Sequence, residues 1–573
     1  MNDSGPTAPE LSWLSIRPSG LAVAAEDMRE TAESLRIEQE IFIYKKKADC
    51  LWIALLGGTG TGKSTIFNAL AGKDISTVGV ARPTTTAPVA YGHRDHAAAV
   101  NSPFFLSRTK RAFHDATGGG SVTGNDGNPF IRYVEHGEDH LSHLVLLDTP
   151  DLDSLESQNR CQARLMYHLS HGVIFVTSQE KYADQVLFRF MHRASVEGKP
   201  LFVVFNKAEK DQTAAELVRI FRERGISLNE ERFFVIPFMG ADERDSGTLR
   251  RILDNFALKM QEVFSRAEKE TIIREDRQRI QRNIADKASR LLNLIEREKE
   301  AEGRWVEKLD SLVDSSARFL LEEMKTRNEQ RNLHAIKREI KKIFGAYDVL
   351  AKPRGYIASL VRAPLDLLRI GRAETDEEKK ESLLRAGRRI DNSPIISAIE
   401  HLNVLILENL SPSSPDAPLF ADLRKGETAM KEREIESRLS DVQAEIAVWL
   451  ENTISELERD LPKGKKVGIY STSVLWGAAI LSFETVLGGG ITLLEMAFNT
   501  VLAPFVTKSS ADLFAHRELR AIIRKMNDRY REGILSIFEE QRDRYTSIIA
   551  NFALPENATD ELARLKREME AST

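Results

Sequence analysis

The sequence predicts an α/β domain, with a mostly parallel sheet covered by helices on both faces, joined to a large all-α bundle or stalk. Three observations predict this. Short apolar runs bounded by Gly, Pro, Asp and Asn recur between 49 and 265, with helix-like segments between several of them. That texture stops after 265, and apolar residues then recur at helical spacing. A chain of 573 residues also exceeds what one compact core usually holds.

Taken in order, residues 1–20 lack a basic start followed by an apolar run, so no secretory signal is indicated and a loose tail is expected. Residues 21–48 are rich in Ala, Glu, Lys and Arg and predict a helix preceding the α/β domain and packing on the helical region. The strands are LWIALLG at 51–57, HLVLLD at 143–148, GVIFVTS at 172–178, LFVVFN at 201–206 and FFVIPF at 233–238. Ala99–Asn128, with Gly118, Gly119 and Gly120, reads as a mobile insertion. A helical bundle is expected over 266–425, with Gly303 softening a junction and Pro412, Pro415 and Pro418 marking a linker. Long helices at 426–460 and 508–550 would form a hairpin over 426–555 with an apolar tip at 467–506, and 556–573 reads as a tail.

Composition narrows the function classes. Charged residues make up 29% and hydrophobic residues 42%, which suits a helix-rich soluble protein. The net charge of -5, with both signs interspersed, gives no general argument for nucleic acid, and none is expected as a partner. Cys50 and Cys161 form no disulfide or zinc pattern, so a reducing, cytoplasmic compartment is the simpler reading. His93, His96, His114, His136, His140 and His143 match no metal spacing and read as surface residues.

The strongest motif is Gly57-Gly58-Thr59-Gly60-Thr61-Gly62-Lys63-Ser64, followed by Thr65. It fits GxxxxGK[ST] between an apolar strand and a helix pattern. Glycines let consecutive backbone N–H groups cradle phosphate oxygens. Lys63 would charge-stabilise the β- and γ-phosphates, and Ser64 would ligate magnesium. This establishes nucleoside triphosphate and magnesium chemistry without choosing the base.

The segments downstream of this loop favour GTP. Asp148-Thr149-Pro150-Asp151 ends a strand and looks like the DxxG motif of GTPases with Asp for Gly. Asp148 would hold magnesium, and the N–H of Asp151 would meet the γ-phosphate. Asn206-Lys207-Ala208-Glu209 looks like NKxD with Glu for Asp, its carboxylate accepting from the guanine edge. Asp211 is a second candidate for that carboxylate, and Met239-Gly240-Ala241 sits where the last base-contacting loop would fall. In Ala81–Pro88, Thr85, with Thr86 next, is the threonine expected to close over magnesium and the γ-phosphate.

Together, GGTGTGKST, RPTTTAP, DTPD and NKAE resemble GTPases of the Era, TrmE and dynamin type over about 51–265. The long helical region makes the whole look most like the bacterial dynamin-like proteins. The resemblance implies GTP hydrolysis to GDP and phosphate, with Lys63 and Thr85 catalytic, Ser64, Thr85 and Asp148 at the metal, and self-association as a homodimer or larger assembly. Gly60 replaces the polar residue of that family, and Leu152 replaces the water-orienting Gln of small signalling GTPases. Two other readings stay open: an Era-like regulatory or assembly GTPase docking a protein or ribonucleoprotein, and a weakly hydrolysing scaffold.

Val467–Val506 contains only Glu484 and Glu495 as charged residues, and Gly488-Gly489-Gly490 divides it. A bilayer span needs about 20 apolar residues, so two clean spans are not supported. Lys463, Lys465, Lys466 and Lys508 flank the stretch and would attract anionic headgroups. It reads as a membrane-dipping tip, giving peripheral membrane association, or as a buried hairpin of the α region. Tyr356–Arg372 is a second, weaker amphipathic candidate, and Arg372–Arg389 reads as a solvated helix.

Overall fold

The structure is a computed structural model. It describes residues 11–76, 87–101, 110–115, 130–152, 157–179, 185–209, 213–226, 228–238, 247–329, 337–338, 340, 391–460, 478–479, 481–483, 485–486, 510–552 and 554–571. The described chain divides into two compact units, one of Met1–Ser15, Glu26–Ile295 and Pro555–Thr573, the other of Ile16–Ala25 and Glu296–Leu554.

The first unit is α/β. Its strands are β1 (Leu51–Gly57), β2 (Val89–His93), β3 (Lys110–Asp115), β4 (Phe130–His136), β5 (Leu144–Asp148), β6 (Gly172–Ser178), β7 (Leu201–Ala208) and β8 (Phe233–Pro237). They form one sheet in the order β3-β4-β2-β5-β1-β6-β7-β8. Every pairing is parallel except β2 with β5. The helices are α1 (Ala25–Lys45), α2 (Lys63–Ala71), a single turn α3 (Ala97–Val100), α4 (Ser157–Leu169), α5 (Gln185–Val196), α6 (Ala214–Glu223), α7 (Gly247–Val263) and α8 (Lys269–Glu329).

All seven residues of β1 are buried, as its continuous apolar run requires. Leu51, Ile53 and Leu55 join a core cluster with Phe67 of α2 and with Phe256 and Met260 of α7. The alternate residues Trp52, Ala54 and Leu56 face the other way and are equally buried. On that side Trp52 donates through Nε1 to the Tyr44 hydroxyl of α1 at 3.1 Å.

Strands β2, β3 and β4 were not foreseen. VAYGH offers only three apolar residues before Gly and His, and KRAFHD and FIRYVEH mix apolar and charged residues, so a search for continuous apolar runs passes over them. β3 falls inside the expected insertion 99–128; most of that segment lies outside the described residues. The termini also differ from expectation. Trp13 is buried, and Ser12 donates from its backbone and hydroxyl to Glu561 at 3.0 and 2.7 Å. Glu561 lies on the last helix, α13 (Glu556–Ala571), which buries Leu562, Leu565 and Met569 where a tail was expected.

Among its described residues the second unit is all α. It contains the later part of α8, α9 (Ser393–Leu410), α10 (Pro418–Arg424), α11 (Glu432–Asp460) and α12 (Ser510–Ala550). α8 runs unbroken through Gly303, which has open space around it, so no junction forms there. α11 and α12 pair antiparallel: Arg544 meets Glu434 at 3.2 Å and Arg438 meets Glu540 at 2.9 Å, and Gly533 admits Val442 against its backbone. The segment entering this unit is fixed by Glu298 of α8. Its buried carboxylate accepts from the Ser19 hydroxyl and from the N–H groups of Gly20, Leu21, Ala22 and Val23 at 2.6–3.1 Å.

Most of 467–506 lies outside the described residues. In the part that is described, helical at 478–479, 481–483 and 485–486, Leu481 and Thr485 are half-buried and the other residues are buried. Ala478, Ala479, Phe483 and Val486 are buried in the core of this unit with Leu519, Ile523 and Met526 of α12. Among the described residues no helix is long and apolar enough to cross a membrane.

Candidate functional site

The nucleotide-motif residues that the structure describes converge at the carboxyl ends of β1, β5 and β7, where ligands of open α/β sheets bind. β1 ends at Gly57, and the loop returns as α2 at Lys63. Gly57 is needed for packing: a Cβ there would stand 2.1 Å from the Val176 carbonyl oxygen of β6. Gly60 sits at φ 74, where a side chain is strained. That backbone accounts for glycine where the resembling family carries a polar residue.

The loop is held by its own polar groups. Thr61 donates through its hydroxyl to Gly58 O at 2.9 Å, and Lys63 Nζ donates to the same oxygen at 3.1 Å. Lys63 is nearly buried and also ion-pairs with the Asp151 carboxylate. Ser64 Oγ donates to Asp148 Oδ2 at 2.7 Å. The hydroxyl of Ser76 donates to that oxygen too, at 2.5 Å. Thr59 is half-buried on the loop, and Thr65 is exposed on the first turn of α2.

Asp148 is fully buried at the end of β5, in register with Leu55 of β1. Its second oxygen, Oδ1, is buried without a hydrogen-bond partner. Burial pushes its carboxyl above the usual range, although Ser76, Lys63 and Ser64 each pull it down. A buried carboxylate with one free oxygen beside a serine hydroxyl is a hard oxygen donor set, which fits magnesium held by one or two protein oxygens together with phosphates. Among the described residues no group of three or more His, Cys, Asp or Glu could hold a metal by itself.

NKAE lies at a register shift between β7 and β8. Lys207 adopts φ 57, uncommon for a non-glycine residue and a form of strain found at functional sites. Asn206 Nδ2 donates to Thr61 O at 2.8 Å, and Lys207 Nζ donates to Gly60 O at 2.8 Å. The base motif and the phosphate loop are thereby tied together. Glu209 is exposed and accepts from Gln179 Nε2 at 2.7 Å.

Thr85, Thr86, Asp211 and Met239–Ala241 lie outside the described residues. Sequence reasoning missed Ser76 and Asn68. Asn68 Oδ1 accepts from the N–H groups of Ile75 and Ser76 at 3.1 and 2.8 Å, which sets the Ser76 hydroxyl on Asp148. The available signal was an asparagine within the apolar helix pattern IFNALAG. The side-chain role of Asp151 was missed as well.

The histidines differ from the surface reading at three positions, since His93, His136 and His143 are buried. His136 Nδ1 accepts from Glu138 N at 3.1 Å, and its ring lies 4.2 Å from that of Tyr91. Burial, then the neighbouring His93, lowers its pKa to about 4. His143 Nε2 donates to Phe264 O at 2.8 Å.

A P-loop at the carboxyl edge of a mostly parallel sheet, tied to an NKxE turn, defines a nucleotide-binding α/β domain. Residues 53–208, just over a quarter of the chain, match the profile of the dynamin family, a family of GTPases. Two solved structures titled as an oligomerised bacterial dynamin pair, with a mechanism for long-range sensing and tethering of membranes, are distantly similar. One aligns over 99% of this chain and 93% of its own at 12% identity and TM-score 0.39. The other aligns over 95% and 91% at 13% identity and TM-score 0.38. A mutation variant of SsGBP aligns over 42% and 67% at 15% identity and TM-score 0.20. No curated protein sequence matches the chain.

Proposed function

We propose that this chain binds GTP with magnesium at Gly57–Ser64 and hydrolyses it to GDP and phosphate, with turnover raised by self-association. The observation that carries the reading is the Lys63, Ser64 and Asp148 cluster beside a loop tied to Asn206 and Lys207. Gly58–Ser64 would present N–H groups and Lys63 to the phosphates, Ser64 and Asp148 would hold the metal, and Thr85 would close over both. Magnesium, when bound, neutralises phosphate charge. Glu209 would accept from the guanine edge, and no side chain of the site is assigned as a general base. Hydrolysis then rests on positioning and electrostatics, which a second copy of the chain would complete.

Anionic membrane contact through 467–506 belongs to the same proposal. The buried residues between 478 and 486 would stay in the core, leaving the rest of the stretch to meet lipid. The test is phosphate release against protein concentration, with and without anionic liposomes. Specific activity should rise with concentration and with lipid; a rate per chain independent of both would reject the coupling. Lys63→Ala should abolish GTP binding, and retained affinity would overturn the site. Deleting 467–506 should end liposome co-sedimentation if that stretch is the contact.

A further inference from the structure

We propose that Asp151 is a built-in counter-ion that competes with the terminal phosphate for Lys63 and so biases the site toward nucleoside diphosphate over triphosphate. The inference rests on the nucleotide reading above and concerns how that site is regulated.

Asp151 stands where the DxxG pattern has glycine, so this chain adds a carboxylate at a position otherwise without a side chain. That carboxylate is paired with Lys63 Nζ, which also donates to the neutral Gly58 carbonyl. The side chains are 6% and 21% exposed, so water screens the pair less than it would a surface pair. The backbone on either side of Asp151 is pinned to β1. Thr149 Oγ1 donates to Leu55 O at 2.6 Å, and Leu152 N donates to Gly57 O at 3.2 Å. The carboxylate is therefore carried to the loop by its neighbours as well as by its own charge.

Lys63 has one positive charge to share. A γ-phosphate reaching it brings negative charge to the place the carboxylate holds, so either Asp151 turns away or two anions face each other in a poorly screened site. A diphosphate ends one phosphate short and meets less of this repulsion. Asp151 thus acts on the last phosphate through Lys63 and is a positioning residue, not a catalytic one.

Asp151→Asn keeps the shape and the backbone N–H but removes the charge. Binding of GDP and of a non-hydrolysable GTP analogue, each with magnesium, is measured by calorimetry on the full chain and on Asp151→Asn. The expected result for Asp151→Asn is an affinity for the GTP analogue about 10-fold higher, with GDP changing by less than about 3-fold. An equal change for both nucleotides, no change, or weaker analogue binding would overturn this proposal alone. If wild type and Asp151→Asn are both folded by circular dichroism and bind neither nucleotide, the nucleotide reading fails and this proposal with it.

Discussion

The two ends of the sheet in the first unit both bury charge, on opposite terms. At the amino ends, Asp276 of α8 accepts from Lys45 Nζ at 2.6 Å and pairs with Arg279. Lys199 Nζ donates to the Tyr167 and Ser170 carbonyls at 2.7 and 2.8 Å. His171 Nδ1 accepts from Trp52 N at 3.0 Å. Each of these groups is answered by protein. At the carboxyl ends, Asp148 keeps an unpartnered oxygen, and Lys63 and Ser64 are held by carboxylates that a phosphate and a cation could replace. Buried charge alone does not distinguish a site from a structural lock. Exchangeable partners do.

The largest expected effect breaks the lock. Asp276→Ala leaves Lys45, Arg279 and Lys199 buried around a missing anion, and should cost about 3–5 kcal/mol of stability. Chemical denaturation of the full chain reads this, and an unchanged midpoint would refute it. Burial opposes ionisation of Asp276, yet Lys45, Arg279 and Lys199 hold its carboxyl far below the usual range. Its stabilisation is then fully present above the ordinary aspartate pKa of about 3.9 and is lost as pH falls toward the lower folded value. The variant should show a shallower acid limb below about pH 4.

Asp148→Asn sharpens the comparison from the other end. The folded pKa of Asp148 is raised, so its charged form destabilises the fold above that value, and the penalty eases as pH falls through it. An amide keeps an oxygen for Ser64 and Ser76 without the buried charge. Stability without ligand should hold or rise by up to about 1 kcal/mol. Magnesium affinity in the presence of nucleotide should fall about 10–100-fold. A stability loss as large as that of Asp276→Ala would show that both ends are locks.

The carboxyl end was the more legible of the two because phosphate chemistry imposes residue types at fixed spacing. Gly57–Ser64, Asp148 and Asn206–Glu209 could be placed on strands and turns because each follows an apolar run. The lock was invisible, since Lys45, Lys199 and Asp276 are ordinary helix and loop residues until the fold assembles them. Ser76 and Asp151 fall between, each near a motif but with a role that depends on where its side chain points. The half-polar strands β2 to β4 were hidden for a different reason: their sequences carry no continuous apolar run.

The smallest expected effect lies at the base. Glu209 spends one carboxylate oxygen on Gln179 in an exposed position, while guanine recognition needs a carboxylate free to accept two hydrogens. Glu209→Gln turns one acceptor into a donor and should lower the preference for GTP over ATP by about 10-fold, the lower part of the range for a bidentate contact. Gln179→Ala releases the carboxylate from a solvent-exposed hydrogen bond to a neutral amide donor, worth about 1 kcal/mol or less where water competes for both groups, so it should raise that preference by no more than about 5-fold. Competition binding of GTP against ATP reads both variants. Opposite shifts would assign base selection to Glu209 and show Gln179 restraining it, whereas a flat response to Glu209→Gln would pass the carboxylate role to Asp211.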